Sequence, residues 1–129
     1  MTVVGMPIGG SEVNGIIAVG VTERPDIQSG EWVLLQIEAG VVIGASAIQP
    51  DPPVLAPTVA RLDEVGSPKM DTILLRVAGT REAWANVGQG RVVEVMDRGE
   101  LAMDGDEAVF IRYMTNLLDV LRGAARLLA

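Results

Sequence analysis

The sequence predicts an α+β fold: an antiparallel-rich sheet of about five strands with helices on one face and a long C-terminal helix. Three observations lead there. β-branched and apolar runs of strand length recur, bounded by Gly, Pro, Ser and Asp. The runs in the first third are separated by turn-length breaks, as in an antiparallel meander. The last part of the chain carries apolar residues at helical spacing instead.

Residues 1–14 contain Gly and Pro and are expected to form an irregular arm or edge. Gly15 to Thr22 (GIIAVGVT) is a β-branched run of strand character. Thr22 to Gly30 (TERPDIQSG) is a loop, and Glu31 to Ala39 (EWVLLQIEA) is a second strand, with Trp32 a sheet-packing residue. Gly40 turns the chain, and Val41-Val42-Ile43 starts a third strand. Gln49 to Pro57 (QPDPPVLAP) is expected to be irregular and largely exposed, because each proline removes a donor and fixes φ. Thr58 to Val65 fits a short helix or a strand, and Gly66-Ser67-Pro68 ends it. The whole of 48–70 therefore reads as an insertion into a single domain spanning 1–129: a lid, an edge cover, a partner-contact arm or merely a tolerated loop.

Asp71 to Ala78 (DTILLRVA) is a strand with Ile73, Leu75 and Val77 on one side. Thr80 can cap a helix whose apolar side is Ala83, Trp84 and Val87. Arg91 to Arg98 is a second short helix or turn, stopped by Gly99, and Glu100 to Asp104 is the closing strand. Asp106 can accept hydrogen bonds from free helix N–H groups, and Glu107 places negative charge at the same end. The helix they open is expected to run to the end of the chain. Phe110, Met114, Leu117, Leu118, Leu121, Ala125 and Leu128 share one side of it, and Arg112, Asn116, Asp119, Arg122 and Arg126 hold most of the rest. Burying the large apolar residues of that stripe contributes on the order of 10 kcal/mol gross, most of it offset by ordering the chain. The helix thus needs a sheet to lie on.

Composition narrows the function. The chain has 129 residues, 49% of them apolar, enough for a packed core. Its net charge of −7 argues against nucleic acid and anionic membranes as partners. There is no cysteine and no histidine. That removes disulfides, thiol nucleophiles, thiolate metal sites, the commonest general base and the commonest zinc ligand. MTVVGMPIGG has no signal-peptide pattern and no span is long and apolar enough for a bilayer, so the expectation is a cytoplasmic protein. Acid–base chemistry is left to carboxylates: Asp63-Glu64, and Asp104, Asp106 and Glu107. The second cluster lacks most positions of a calcium loop and reads as capping chemistry. Asp51 and Asp97 read as solvated, and Ser11, Ser29, Ser46 and Ser67 sit in no nucleophile motif. No metal, no cofactor and no catalytic residue is expected.

The pieces Thr72-Ile73-Leu74-Leu75-Arg76-Val77, Gly79-Thr80-Arg81-Glu82-Ala83-Trp84, Val92-Val93-Glu94-Val95-Met96 and Gly99-Glu100-Leu101-Ala102-Met103-Asp104-Gly105-Asp106 follow one another in a distinctive order. Over residues 71–128 the chain resembles the sterol carrier protein type-two-like family, whose second half runs strand, helix, short helix, strand and apolar closing helix. Residues 15–44 match it only as a strand meander. Members carry a longer N-terminal helical segment that helps cover the sheet. Here 14 residues precede the first strand, so the resemblance implies that the 48–70 insertion, a second copy or another protein supplies the cover.

The resemblance also implies a cavity between sheet and helices for a lipid, sterol or fatty acyl group. Its candidate lining is Trp84, Met96, Met103, Phe110, Met114, Leu117, Leu118 and Leu121. Such sites are concave and mainly apolar, and methionine suits an adaptable surface, although the same residues would equally fill a closed core. The leading expectation is a non-enzymatic carrier of a hydrophobic small molecule. An assembly module with a filled cavity is the first alternative, and an enzyme or enzyme subunit using a buried carboxylate is the second. A homodimer, or a complex with another protein, is expected in either of the first two cases.

Overall fold

Eight residues, Gly15–Thr22, form the strand that organises the rest (β1), and nearly all of them are buried. A strand buried on both faces reads as a continuous apolar run, which is why GIIAVGVT lacks polar alternation. A computed structural model of the chain describes residues 3–10, 12–48, 73–105 and 107–128. Around β1 lie β2 (Gly30–Glu38), β3 (Val41–Ile48), β4 (Ile73–Gly79) and β5 (Leu101–Gly105), in the spatial order β3-β2-β1-β4-β5. The pairings β1–β2, β2–β3 and β4–β5 are antiparallel, and the central pairing β1–β4 is parallel. The meander of the first three strands matches the sequence reading; the parallel centre makes the sheet a mixed one.

The helices are α1 (Arg81–Gly88), α2 (Val92–Asp97), α3 (Glu107–Arg112) and α4 (Met114–Leu128). Thr80 caps α1 as expected, its Oγ1 accepting from Ala83 N at 3.1 Å. The last helix is not continuous: Tyr113 separates α3 from α4. The buried positions of α4 are Leu117, Val120, Leu121, Ala124, Ala125 and Leu128. That face differs from the expected stripe, gaining Val120 and Ala124 and leaving out Phe110, Met114 and Leu118. The buried face is the one that α4 turns to α1 and the sheet: α4 packs along α1, and a Cβ added to Gly88 would lie 3.6 Å from Ala125 Cβ, an ordinary contact.

The main core lies between these helices and one side of the sheet, built on Ile17, Val19, Leu35, Ile37, Leu75 and Val77. A second cluster, Ile16, Ala18, Trp32, Ile73 and Ala78, lies on the other side. Strand β4 serves both by alternation, Val77 in one cluster and Ala78 in the other, and a bulge opposite Ile16 and Ile17 changes the phase, so Ile73 belongs to one cluster and both Leu74 and Leu75 to the other. The strict Ile73/Leu75/Val77 alternation expected from sequence is broken at that point. Trp32 is fully buried on the second side, its Nε1 without a hydrogen-bond partner among the described residues.

The N-terminal arm is irregular, as expected, but it is part of the core. Val3, Ile8 and Val13 are buried. Backbone bonds tie it to the β2–β3 turn: Gly5 N to Val42 O at 2.7 Å, Ile8 N to Gly40 O at 2.6 Å and Gly40 N to Val13 O at 2.9 Å. Pro7 makes an antiparallel bridge to Val41. The cover expected from 48–70 falls on residues outside those described.

Candidate functional site

The eight apolar candidates divide into three groups by position. Trp84 on α1 and Leu117 and Leu121 on α4 sit within the core, each no more than 1% exposed. Trp84 is fixed there by its indole N–H, which donates to Gly20 O at 2.7 Å. Met96 on α2, Met103 on β5, Phe110 on α3 and Leu118 on α4 are half-buried and pack against the same core from its rim. Met114, the first residue of α4, is 47% exposed.

Helix α3 stands apart energetically. It carries Val109, Phe110 and Ile111, yet none of its residues is buried, and Ile111 is 72% exposed. A short isolated helix is marginal in water, so α3 depends on what lies beside it. Met96, Met103, Phe110 and Leu118 thus form a partly exposed apolar margin of the main core. Such a surface favours contact with apolar matter and has little chemistry of its own.

Tyr113, between α3 and α4, is tied to the arm. Its hydroxyl donates to the Glu12 carboxylate. That bond is the main cause holding the Glu12 carboxyl below its ordinary range, with a smaller contribution from the Arg112 charge. The same bond raises the Tyr113 phenol above its ordinary value, while Arg112 pulls it the other way. Asn116, one turn into α4, donates from Nδ2 to Ile8 O at 2.8 Å. Composition gives no hint of these contacts, since the partners are 101 and 108 residues apart.

A concavity missed by the sequence reading lies where the carboxyl ends of β1 and β4 meet the start of α1. It is an open groove of about 810 Å³ lined by Val21, Thr22, Glu23, Gln28, Ser29, Gly30, Glu31, Thr80, Arg81 and Glu82. Arg81 Nη2 and Glu31 Oε2 are 3.9 Å apart and both largely exposed, so their attraction is weak. The Thr22 hydroxyl donates to Arg24 O at 2.5 Å and so is engaged by its own loop.

Of the carboxylates, Asp104 pairs with Arg76 across β4 and β5, and Glu107 lies in the first turn of α3. Asp51, Asp63, Glu64 and Asp106, with Ser11 and Ser67, fall outside the described residues. Asp97 and Ser46 are exposed. Among the described residues no three His, Cys, Asp or Glu side chains group as a metal site, and no helix is long and apolar enough to cross a membrane.

No family model and no curated protein matches the chain. Solved structures do. The crystal structure of sterol carrier protein 2 superposes with a TM-score of 0.59 at 21% identity, covering 92% of this chain and 81% of that one. The solution structure of a conserved hypothetical protein from Thermus thermophilus, described as possibly a sterol carrier protein, gives a TM-score of 0.51 at 22% identity, covering 87% and 71%. The chain therefore has the sterol carrier protein 2-like α+β fold.

Proposed function

We propose that the protein is a non-enzymatic carrier that holds a hydrophobic or lipid-like molecule between the sheet and the C-terminal helices. The observation that carries this reading is α3: a helix bearing Val109, Phe110 and Ile111 that fully buries none of them, with Phe110, like Met103 and Leu118, only half-buried against the core. An apolar guest would gain from the side chains this helix leaves wet. The fold shared with sterol carrier protein 2 supports a carrier role. Binding would be desolvation alone, about 25 cal/mol per Å² of apolar surface removed from water. Titration with a fluorescent fatty-acid analogue, together with native mass spectrometry of the purified protein, tests it. Saturable binding or a co-purifying apolar ligand is expected. A protein that carries none and binds no probe overturns it.

A second reading, an assembly module on the same fold, is favoured by the edge strand β3. Its sequence VVIGASAI has no charge and no proline, and Ile43, Ala45, Ser46 and Ala47 are exposed. Sheet edges are ordinarily protected by charged residues or proline. A dimer that persists on dilution in native mass spectra, and that Ala45→Lys disperses, supports this reading; a monomer at every concentration removes it.

A further inference from the structure

We propose that the N-terminal arm is a strap that holds α3 closed, with Tyr113 as its buckle. This rests on the carrier reading for its purpose, though not for its geometry. The arm is anchored to the sheet: Val3 and Ile8 are buried, and Gly5, Met6 and Ile8 exchange backbone bonds with Gly40 and Val42. Its next stretch is shaped to receive the α3–α4 junction. Gly9 and Gly10 adopt φ of +90° and +75°. A Cβ at Gly10 would lie 2.6 Å from Tyr113 Cζ, and one at Gly9 would lie 3.2 Å from Asn116 Nδ2. Only glycine permits both the left-handed backbone and the close approach. Two side chains three residues apart on one helical face thus grip the diglycine, Asn116 through Ile8 O and Tyr113 through Glu12.

The position of Tyr113 makes this grip act on α3. Its N–H bonds to Val109 O of α3 at 3.1 Å, and its carbonyl accepts from Leu117 N of α4 at 2.9 Å. α4 is independently fixed by its buried face, whereas no residue of α3 is fully buried. Through Tyr113 the arm therefore constrains the end of α3, while Asn116 ties it to the already fixed α4. Releasing the Tyr113 hydroxyl frees α3 to swing and carry Phe110 off the core it packs against, and that part of the core becomes accessible to a guest. Tyr113 and Glu12 are positioning residues; neither is needed to touch the guest.

Hydrogen–deuterium exchange on ligand-free wild type, Tyr113→Phe and Glu12→Gln tests the strap. Tyr113→Phe should raise exchange severalfold across 107–112 and leave 117–128 and the sheet unchanged. Glu12→Gln keeps an acceptor oxygen and should give a smaller rise in the same place. Unchanged exchange in 107–112, or equal acceleration throughout α4 and the sheet, overturns the proposal. Stopped-flow association of a fluorescent fatty-acid analogue then tests the purpose: it should be faster with Tyr113→Phe. A wild type that binds no probe overturns the carrier reading and the gating role with it, while the exchange data decide the strap by themselves.

Discussion

The Trp32 ring lies against the backbone of Gly20, so close that a Cβ there would sit 2.6 Å from Cδ2 and Cε3. The two residues face each other across β1 and β2 in the antiparallel register. Trp32 is fully buried, which leaves its ring little room to yield. Gly20→Ala should therefore overpack this side of the sheet and cost about 1–3 kcal/mol. Thermal unfolding followed by circular dichroism measures it; an unchanged midpoint would mean that the indole can slide.

Gly20 also receives Trp84 from the helices, through its carbonyl. Trp84→Phe keeps an aromatic ring but leaves a buried acceptor without this donor. Its expected cost is about 1–3 kcal/mol, read as a lower urea midpoint at unchanged m-value. Trp32 becomes the sole tryptophan in that variant and reports the transition by fluorescence.

Leu117 and Leu118 are adjacent in sequence but differ in environment, the first 1% exposed and the second half-buried. Leu117→Trp should overpack the core and lower stability by about 1–3 kcal/mol. Leu118→Trp should change ligand-free stability less, while weakening binding of a fatty-acid probe by occupying the rim. Paired melts with and without probe separate the two. Equal destabilisation, with probe binding intact in Leu118→Trp, would place the guest elsewhere.

The Tyr113–Glu12 bond has a pH window set from both ends. Glu12 titrates lower in the folded protein because it accepts this bond. Its contribution is present above the unfolded carboxyl pKa and is lost as pH falls through the folded one. Tyr113 titrates higher, so its contribution is complete below the unfolded phenol pKa and is lost as pH rises through the folded value. Arg112, the other charged group acting on both, opposes the rise at Tyr113 and adds to the fall at Glu12. The bond should hold across the neutral range. The chain has one tyrosine, so its phenolate absorbance reports this site alone. Glu12→Gln should lower that titration toward the ordinary tyrosine value; no shift would show that the bond is absent in solution.

Much of the architecture was legible because it rests on local rules. GIIAVGVT, EWVLLQIEA and DTILLRVA announce strands by composition, and Thr80 announces a helix start by a side chain three residues from its partner N–H. What was not legible depends on distance. The parallel β1–β4 pairing joins segments with no shared turn to betray it. The arm's burial at Val3, Ile8 and Val13 follows no period, since an irregular backbone presents its side chains in no fixed rhythm. The stripe along the last helix failed at Tyr113 for a related reason. The apolar pattern continues in register through that point, and the interruption coincides with bonds to residues more than a hundred positions away. Of the eight apolar candidates, Met96, Met103, Phe110, Met114 and Leu118 are partly exposed, while Trp84, Leu117 and Leu121 are buried in the core. Hydrophobicity alone does not distinguish the two.

The parallel pairing at the centre of the sheet bears on how the chain is made as well as how it rests. A ribosome releases residues 3–48 long before 73–79 exist, so the three-stranded meander emerges with one flank of β1 bare and waiting. The arm waits longer still, because the side chains that grip it follow more than a hundred residues behind. Until then Val3, Ile8 and Val13 have no helix α4 to rest beside. The nascent protein is therefore most adhesive just before α4 emerges, and slow synthesis would prolong that exposure rather than relieve it. Non-local closure of this kind also places the domain among slower folders, for which holding by a chaperone until that helix arrives would raise the yield.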